Sequence, residues 1–210
     1  SRSIGVTLFV AGSFLFLGVI DHLDVALQTL SIIFVCTGLS VTLGVPIGIA
    51  MSRSNSLQRL IVPVLDLLQT LPTFVYLIPA IVFFGIGMVP GLIATVIFVV
   101  PAPIRLTYLG VSKTPTALIE AAEAFGATPT QLLWKVEMPY AVPQIMAGLN
   151  QVIMLSLSMV VIAAYVGAAG LGKPVVQALG RNDPGLGFES GFVIVAVAIM
   201  LDRMLRVKSK

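Results

Sequence analysis

Charge is scarce in this chain: of 210 residues, 10% are Asp, Glu, Lys or Arg, where a soluble domain carries about 25%. Cysteine, histidine and tryptophan occur once each. A single thiol excludes an intrachain disulfide, and one thiol with one imidazole cannot build the paired ligand sets of a zinc site. Cys36 falls inside an apolar run and reads as a small buried hydrophobe. The chain has no G-x-x-x-x-G-K-[ST] phosphate loop, so ATP hydrolysis by these residues is not expected. No Ser-His-Asp arrangement fits the apolar stretches either, and catalysis is not expected. The net charge of +3 is no nucleic-acid footprint, because in a chain this apolar the placement of the cations says more than their number.

Apolar residues are what the chain has in abundance, at 58%, with a mean hydropathy of +1.07. The few charges cluster, leaving uncharged runs at 3–20, 25–52, 67–104, 138–172 and 190–201. Runs of about 18 or more such residues are transmembrane candidates. The reading is therefore all-α, a polytopic helical bundle with 1–210 as one transmembrane domain. Its six expected spans are 4–20, 25–51, 60–87, 91–109, 140–169 and 188–205. Residues 3–20 lack a small-residue cleavage pattern and run directly into another apolar stretch, so a span is expected there and not a removable signal. Since the first residue is Ser, an upstream extension stays open.

Orientation follows from Lys and Arg. Arg2, Arg53, Arg59, Arg105, Lys113, Lys135, Arg203, Arg206, Lys208 and Lys210 fall on one side of this scheme, and only Lys173 and Arg181 on the other. The positive-inside rule then places both termini and the 110–139 loop in the cytoplasm. On the outside, Asp21, His22 and Asp24 read as polar caps of a turn and not as metal ligands. Val89-Pro90-Gly91 is expected to turn on that same side. The 171–189 loop either meets an external partner or solvates the span ends.

Within the spans, Gly44-x-x-x-Gly48 allows close helix approach around Pro46, and Ala163, Gly167 and Gly170 offer a second small face. Pro63, Pro72, Pro79, Pro90, Pro101 and Pro103 crowd the third and fourth spans. Helix breakers at membrane depth are tolerated where the segment packs internally or lines a cavity. Gln69, Thr73 and Tyr76, with Asn150 and Ser156 on the fifth span, are candidates for a translocation path; hydrogen bonding between helices accounts for the same residues equally well. Asp66 is the single ionisable group with a claim to membrane depth.

The 113–139 interval is the long polar stretch, and its local grammar repeats. Thr114-Pro115 and Thr128-Pro129 each place a hydroxyl at an expected N-cap before a proline at the first helical position. Gln131 completes a capping box with Thr128. Leu118, Ala121, Ala122 and Phe125 lie at i, i+3, i+4 and i+7, and Gly126 supplies a stop. Two short helices joined by a glycine elbow are expected.

Glu120-Ala121-Ala122, Gly126, then Val136, Met138 and Pro139 in register resemble the E-A-A-x-x-x-G-x(9)-I-x-L-P signature of ABC-importer membrane subunits, departing only by two aliphatic exchanges. The stretches 65–91, 103–110, 150–172 and 179–191 are similar to the permeases of glycine betaine and related quaternary-amine importers. Together these cover most of 60–205. The resemblance implies a type I importer permease in a bacterial inner membrane, with Glu120, Ala121, Ala122, Glu123, Gly126 and Pro139 in the loop that engages the ATPase. It also implies cytoplasmic ABC ATPase subunits that hold the ATP and Mg, an external substrate-binding protein, and a second permease copy. No cofactor of this chain's own and no nucleic-acid partner are implied. The expected substrate is a betaine-like compatible solute. Alternatives are an importer for an amino acid or a choline-like solute, or a secondary transporter, which would ordinarily carry more ionisable residues within its spans.

Overall fold

A computed structural model describes residues 2–19 and 21–205. Its elements are α1 (Arg2–Val19), α2 (Leu23–Arg53), α3 (Asn55–Thr70), α4 (Thr73–Phe84), α5 (Met88–Val99), α6 (Pro101–Ser112), α7 (Thr116–Ala124) and α8 (Pro129–Leu132). A π-helical turn (Leu133–Glu137) follows, then α9 (Met138–Ala164), α10 (Gly172–Arg181) and α11 (Pro184–Leu205). No strand occurs among the described residues. This is the all-α architecture expected of a chain whose backbone must satisfy its own hydrogen bonds in lipid.

Among the described residues, four helical stretches are long and apolar enough to cross a membrane: Leu23–Arg53, Met88–Ser112, Pro129–Ala164 and Pro184–Met204. The pair α3 and α4 passes only when taken together and is bent by 97° at its break, counting as a fifth if it is one span, and Thr7–Val19 is a shorter apolar helix. The third expected span, 60–87, is thus not a single rod. Pro72 disfavours helical backbone at Leu71 and brings no N–H of its own, and the helix breaks at these two residues.

Two further expectations need correction. Val89, Pro90 and Gly91 do not form a turn but lie in the first turn of α5, where a proline's missing N–H leaves no bond unmade. The turn sits upstream, around Gly85 and Gly87, both at positive φ. The fifth span, expected at 140–169, starts earlier and stops earlier. Its helix runs from Pro129 through the π turn to Ala164, and Gly167 and Gly170, at positive φ, hold the chain in a turn beyond it.

The chain divides into two compact units. One comprises residues 1–38, 71–98 and 153–210. Within it α11 packs against α1, where Phe16 and Phe192 meet edge-on with centroids 6.0 Å apart. Asn182, at φ 52°, turns α10 into α11, and the Asp183 carboxylate accepts the Leu186 N–H at 3.1 Å to cap α11. The turn after α9 is tied down twice: Gly87 donates to the Val166 carbonyl at 2.8 Å, and Leu171 donates to Thr29 Oγ1 at 2.8 Å.

The other unit comprises residues 39–70 and 99–152. Within it Met51, Leu65 and Ile104 form a buried cluster, flanked by Ile47, Leu57, Ile61 and Tyr108. The Gly44-x-x-x-Gly48 reading holds here. A Cβ on Gly48 would lie 2.7 Å from the Ile104 carbonyl oxygen, and one on Gly44 would lie 2.7 Å from the Pro103 ring. Only glycine lets α2 and α6 approach this closely. Gly110 near the end of α6 meets Ala141 near the start of α9 in a similar way, with 3.0 Å to the Ala141 Cβ. The two arms of the 110–139 loop therefore leave from a tightly packed base.

Candidate functional site

The loop begins where α6 ends at Ser112. Thr114, expected as an N-cap, is instead buried, and its hydroxyl has no hydrogen-bond partner. Pro115 takes the cap position with extended backbone (φ −56°, ψ 132°), and its carbonyl accepts the Leu118 N–H at 3.0 Å. Proline lacks an N–H but keeps its carbonyl, so the helix starts at Thr116, one residue later than the sequence suggests.

The far end of α7 stops as expected. Gly126 lies at φ +77°, its N–H donates to the Glu123 carbonyl at 2.8 Å, and the Ala127 N–H reaches back to the Ala122 carbonyl at 3.0 Å. Those two bonds define a Schellman motif, in which a left-handed residue satisfies the orphan carbonyls of the last turn.

No residue of α7 is buried. Glu120, Ala121 and Glu123 are exposed and Ala122 is partly so. On the apolar side Leu118 is 47% exposed and the capping Phe125 93% exposed. Although α7 touches α8 and the π turn, this amphipathic helix still presents Leu118, Phe125 and its carboxylates outward.

The second start behaves as the sequence suggests. Thr128 Oγ1 accepts the Gln131 N–H at 3.3 Å, and Gln131 Oε1 accepts the Thr128 N–H at 2.9 Å, a complete capping box. The expected second short helix is corrected, however: α8 does not end but runs through the π turn into α9. Pro139 has no N–H for the carbonyl four residues back, and its ring crowds that carbonyl. The widened turn immediately upstream accommodates both effects. Pro139 is exposed.

Glu137, at the end of the π turn, is buried and forms an ion pair with Arg53 at the end of α2. Sequence reasoning missed this pair. Glu137 occupies a variable position of the signature, and 84 residues separate the partners, so no local pattern announces it. Asp66, the one candidate for an intramembrane ionisable group and expected near the cytoplasmic interface, is paired with Arg105.

The path candidates are distributed over both units. Gln69 is exposed, and Asn150 is half-buried with its Oδ1 enclosed and unpartnered. Thr73 is half-buried, and the buried Tyr76 ring packs against Phe98 at 6.2 Å. Ser156 is buried with an unpartnered hydroxyl and lines a small cavity with Thr95, Gly91 and Ala168. Of the aromatic residues, Phe74 and Tyr165 meet edge-on at 6.1 Å.

No group of three metal-ligating side chains occurs among the described residues. The run Gly167 to Lys173 spaces two glycines and a lysine as a phosphate loop does, but Pro174 stands where that loop needs a hydroxyl. Its glycines serve packing instead: a Cβ on Gly172 would lie 2.2 Å from the Val160 carbonyl oxygen.

Residues 40–203 match the family described as "Binding-protein-dependent transport system inner membrane component". The chain is 50% identical over 206 residues to the glycine betaine/carnitine transport permease protein GbuB of Listeria monocytogenes serotype 1/2a (strain 10403S), covering 98% of this chain and 73% of that protein. It is also 50% identical to the glycine betaine transport system permease protein OpuAB of Bacillus subtilis (strain 168), covering 98% and 74%. To the glycine betaine/proline betaine transport system permease protein ProW of Escherichia coli (strain K12) it is 45% identical, covering 96% and 57%. Among solved structures, an inward-facing form of the MetNI methionine ABC transporter superposes with a TM-score of 0.79 at 22% identity, over 90% of this chain and 96% of that one. At that identity the structural likeness speaks for the fold alone.

Proposed function

The chain belongs to the family of binding-protein-dependent transport system inner membrane components, and from that premise we propose that two copies of it form the path of an ATP-driven importer for a betaine-like quaternary amine. The chain itself is a multi-pass ABC importer permease and not an enzyme. Two cytoplasmic ATPases hold the ATP and Mg and dock on α7. An external binding protein delivers the solute. Both termini and the α7 loop lie in the cytoplasm, the side on which ten of the twelve Lys and Arg residues fall.

One observation carries this reading: α7 is capped at its C-terminal end, rises from a packed base, and leaves Leu118, Phe125 and both carboxylates exposed. A helix laid into a groove on a partner uses this form of surface. Glu120, Ala121, Ala122, Glu123 and Gly126 make up the contact, and Pro139 belongs to the arm that carries it back to the membrane. Movement of the ATPases displaces α7, and the helices rooted beside it redistribute between inward-open and outward-open arrangements.

A quaternary ammonium has no N–H to donate, so it is recognised by aromatic faces through cation–π attraction and by apolar contact. Tight recognition belongs to the binding protein. The permease path, for which Gln69, Thr73, Tyr76, Asn150 and Ser156 are the proposed residues, holds the solute weakly, because a transport site must release as readily as it accepts. The betaine class rests on the 45–50% identity to betaine permeases. The match to a choline transport system permease of Bacillus subtilis (strain 168), at 29%, makes choline-like solutes the second reading.

Reconstitution in vesicles tests the proposal. Labelled glycine betaine should accumulate only when the ATPase, ATP and binding protein are all present. Accumulation of an amino acid or choline in its place would overturn the substrate class, and accumulation without ATP would overturn the mechanism.

A further inference from the structure

The base of the loop holds a half-buried ion pair, with the buried Glu137 carboxylate against the exposed Arg53, that the signature does not contain. Glu137 is the last residue of the π turn, and its side chain is 6% exposed. Its partner, Arg53, sits in the last turn of α2, two residues from the core residue Met51. Around the pair the packing is stiff. A methyl group on Gly110 would press to 3.0 Å from the Ala141 Cβ between α6 and α9, and Asp66 and Arg105 join α3 to α6. Beyond it the chain carries α7, which packs against α8 and the π turn.

A π turn inserts one residue into the helical register, rotating the helix before it by about 100° relative to the helix after it. It is the soft point between the exposed arm and the span. A displacement of α7 could be absorbed there by adding or removing that extra residue, and nothing would then reach the membrane. A carboxylate fixed to the end of α2 from within the turn prevents this. Glu137 cannot shift register without breaking the ion pair and leaving a buried charge unpaired. Arg53, at the C-terminal end of α2, is also the charge that this helix end favours.

We propose that Arg53 and Glu137 are positioning residues that form a strut, transmitting the displacement of α7 to α2 and keeping the π turn from absorbing it. The proposal rests on the coupling role of α7 in the proposed function. Without the strut, ATP hydrolysis would continue while the spans failed to follow. The expected signature is therefore a changed ratio of solute moved to ATP hydrolysed, which a merely structural brace would not change.

The test uses the whole transporter in vesicles, with its ATPase and binding protein, measuring labelled betaine uptake and phosphate release on the same samples. Glu137→Gln and Arg53→Gln should assemble, hydrolyse ATP at near wild-type rates and lower the uptake-to-hydrolysis ratio at least about fivefold. Arg53→Lys, which keeps the charge, should hold the ratio within about twofold of wild type. Should Glu137→Gln not assemble, the two Arg53 variants decide, since that side chain is 41% exposed and easier to replace. An unchanged ratio in the variants that assemble would overturn the strut, as would uptake and hydrolysis falling in proportion. In those cases wild type still transports, and the functional reading stands. If wild type shows no ATP-dependent uptake, the functional reading fails and takes the strut with it.

Discussion

Glu120 and Gly126 act on the same surface by different physics. Glu120 is exposed and adds little to the stability of the chain alone, but against a cationic or N–H donor on a partner its removal would cost about 2–5 kcal/mol. Gly126 has open space where a Cβ would go, yet its φ of +77° is a conformation that side chains resist. An L-residue forced into it costs about 1–2 kcal/mol, with β-branched residues worst and Asn best tolerated. Glu120→Lys and Gly126→Val should therefore leave membrane insertion and the proposed dimer intact while uptake and binding-protein-stimulated ATP hydrolysis collapse together. Gly126→Asn should retain most of both. Uptake assays on purified, reconstituted variants check this, and near wild-type transport by Glu120→Lys would remove α7 from the proposed coupling role.

At the scale of elements, the contact of α2 with α6 depends on the absence of side chains. A Cβ on Gly48 would stand 2.7 Å from a backbone carbonyl that cannot move without shifting α6, whereas one on Gly12 would meet nothing within 4 Å. Gly48→Val should destabilise the protein by about 1–3 kcal/mol, the usual cost of overpacking. Its thermal unfolding in detergent should come at lower temperature than wild type, and Gly12→Val should stay close to wild type. Equal behaviour of the two variants would mean that α2 and α6 do not pack as described.

For the molecule as a whole, topology follows from where the cations fall. In a Cys36→Ser background, Asn55→Cys and Ala124→Cys should be shielded from an impermeant thiol reagent in intact cells, and Gln177→Cys should label. Cys36 is fully buried and is replaced only to remove background. Labelling of Ala124→Cys from outside would place α7 on the wrong side for any ATPase.

What the sequence determined by itself is what depends on local chemistry and on composition. The scarcity of charge implied membrane spans, because ionised groups are costly in lipid. Thr128 and Gln131 announced their capping box, Gly126 its stop and Gly44 with Gly48 their close contact, because each of these needs partners only a few residues away or no side chain at all. Local reading slipped where a proline could act in two ways. Pro72 broke a span and Pro90 opened a helix, while Pro115 took the cap position that Thr114 was expected to hold. The tertiary structure decided what joins residues far apart in the chain. Arg53 meets Glu137, Asp66 meets Arg105 and Leu171 meets Thr29, and no residue of α7 is buried. Such pairings depend on how helices pack in three dimensions, and no periodicity along the chain records which helix ends come together.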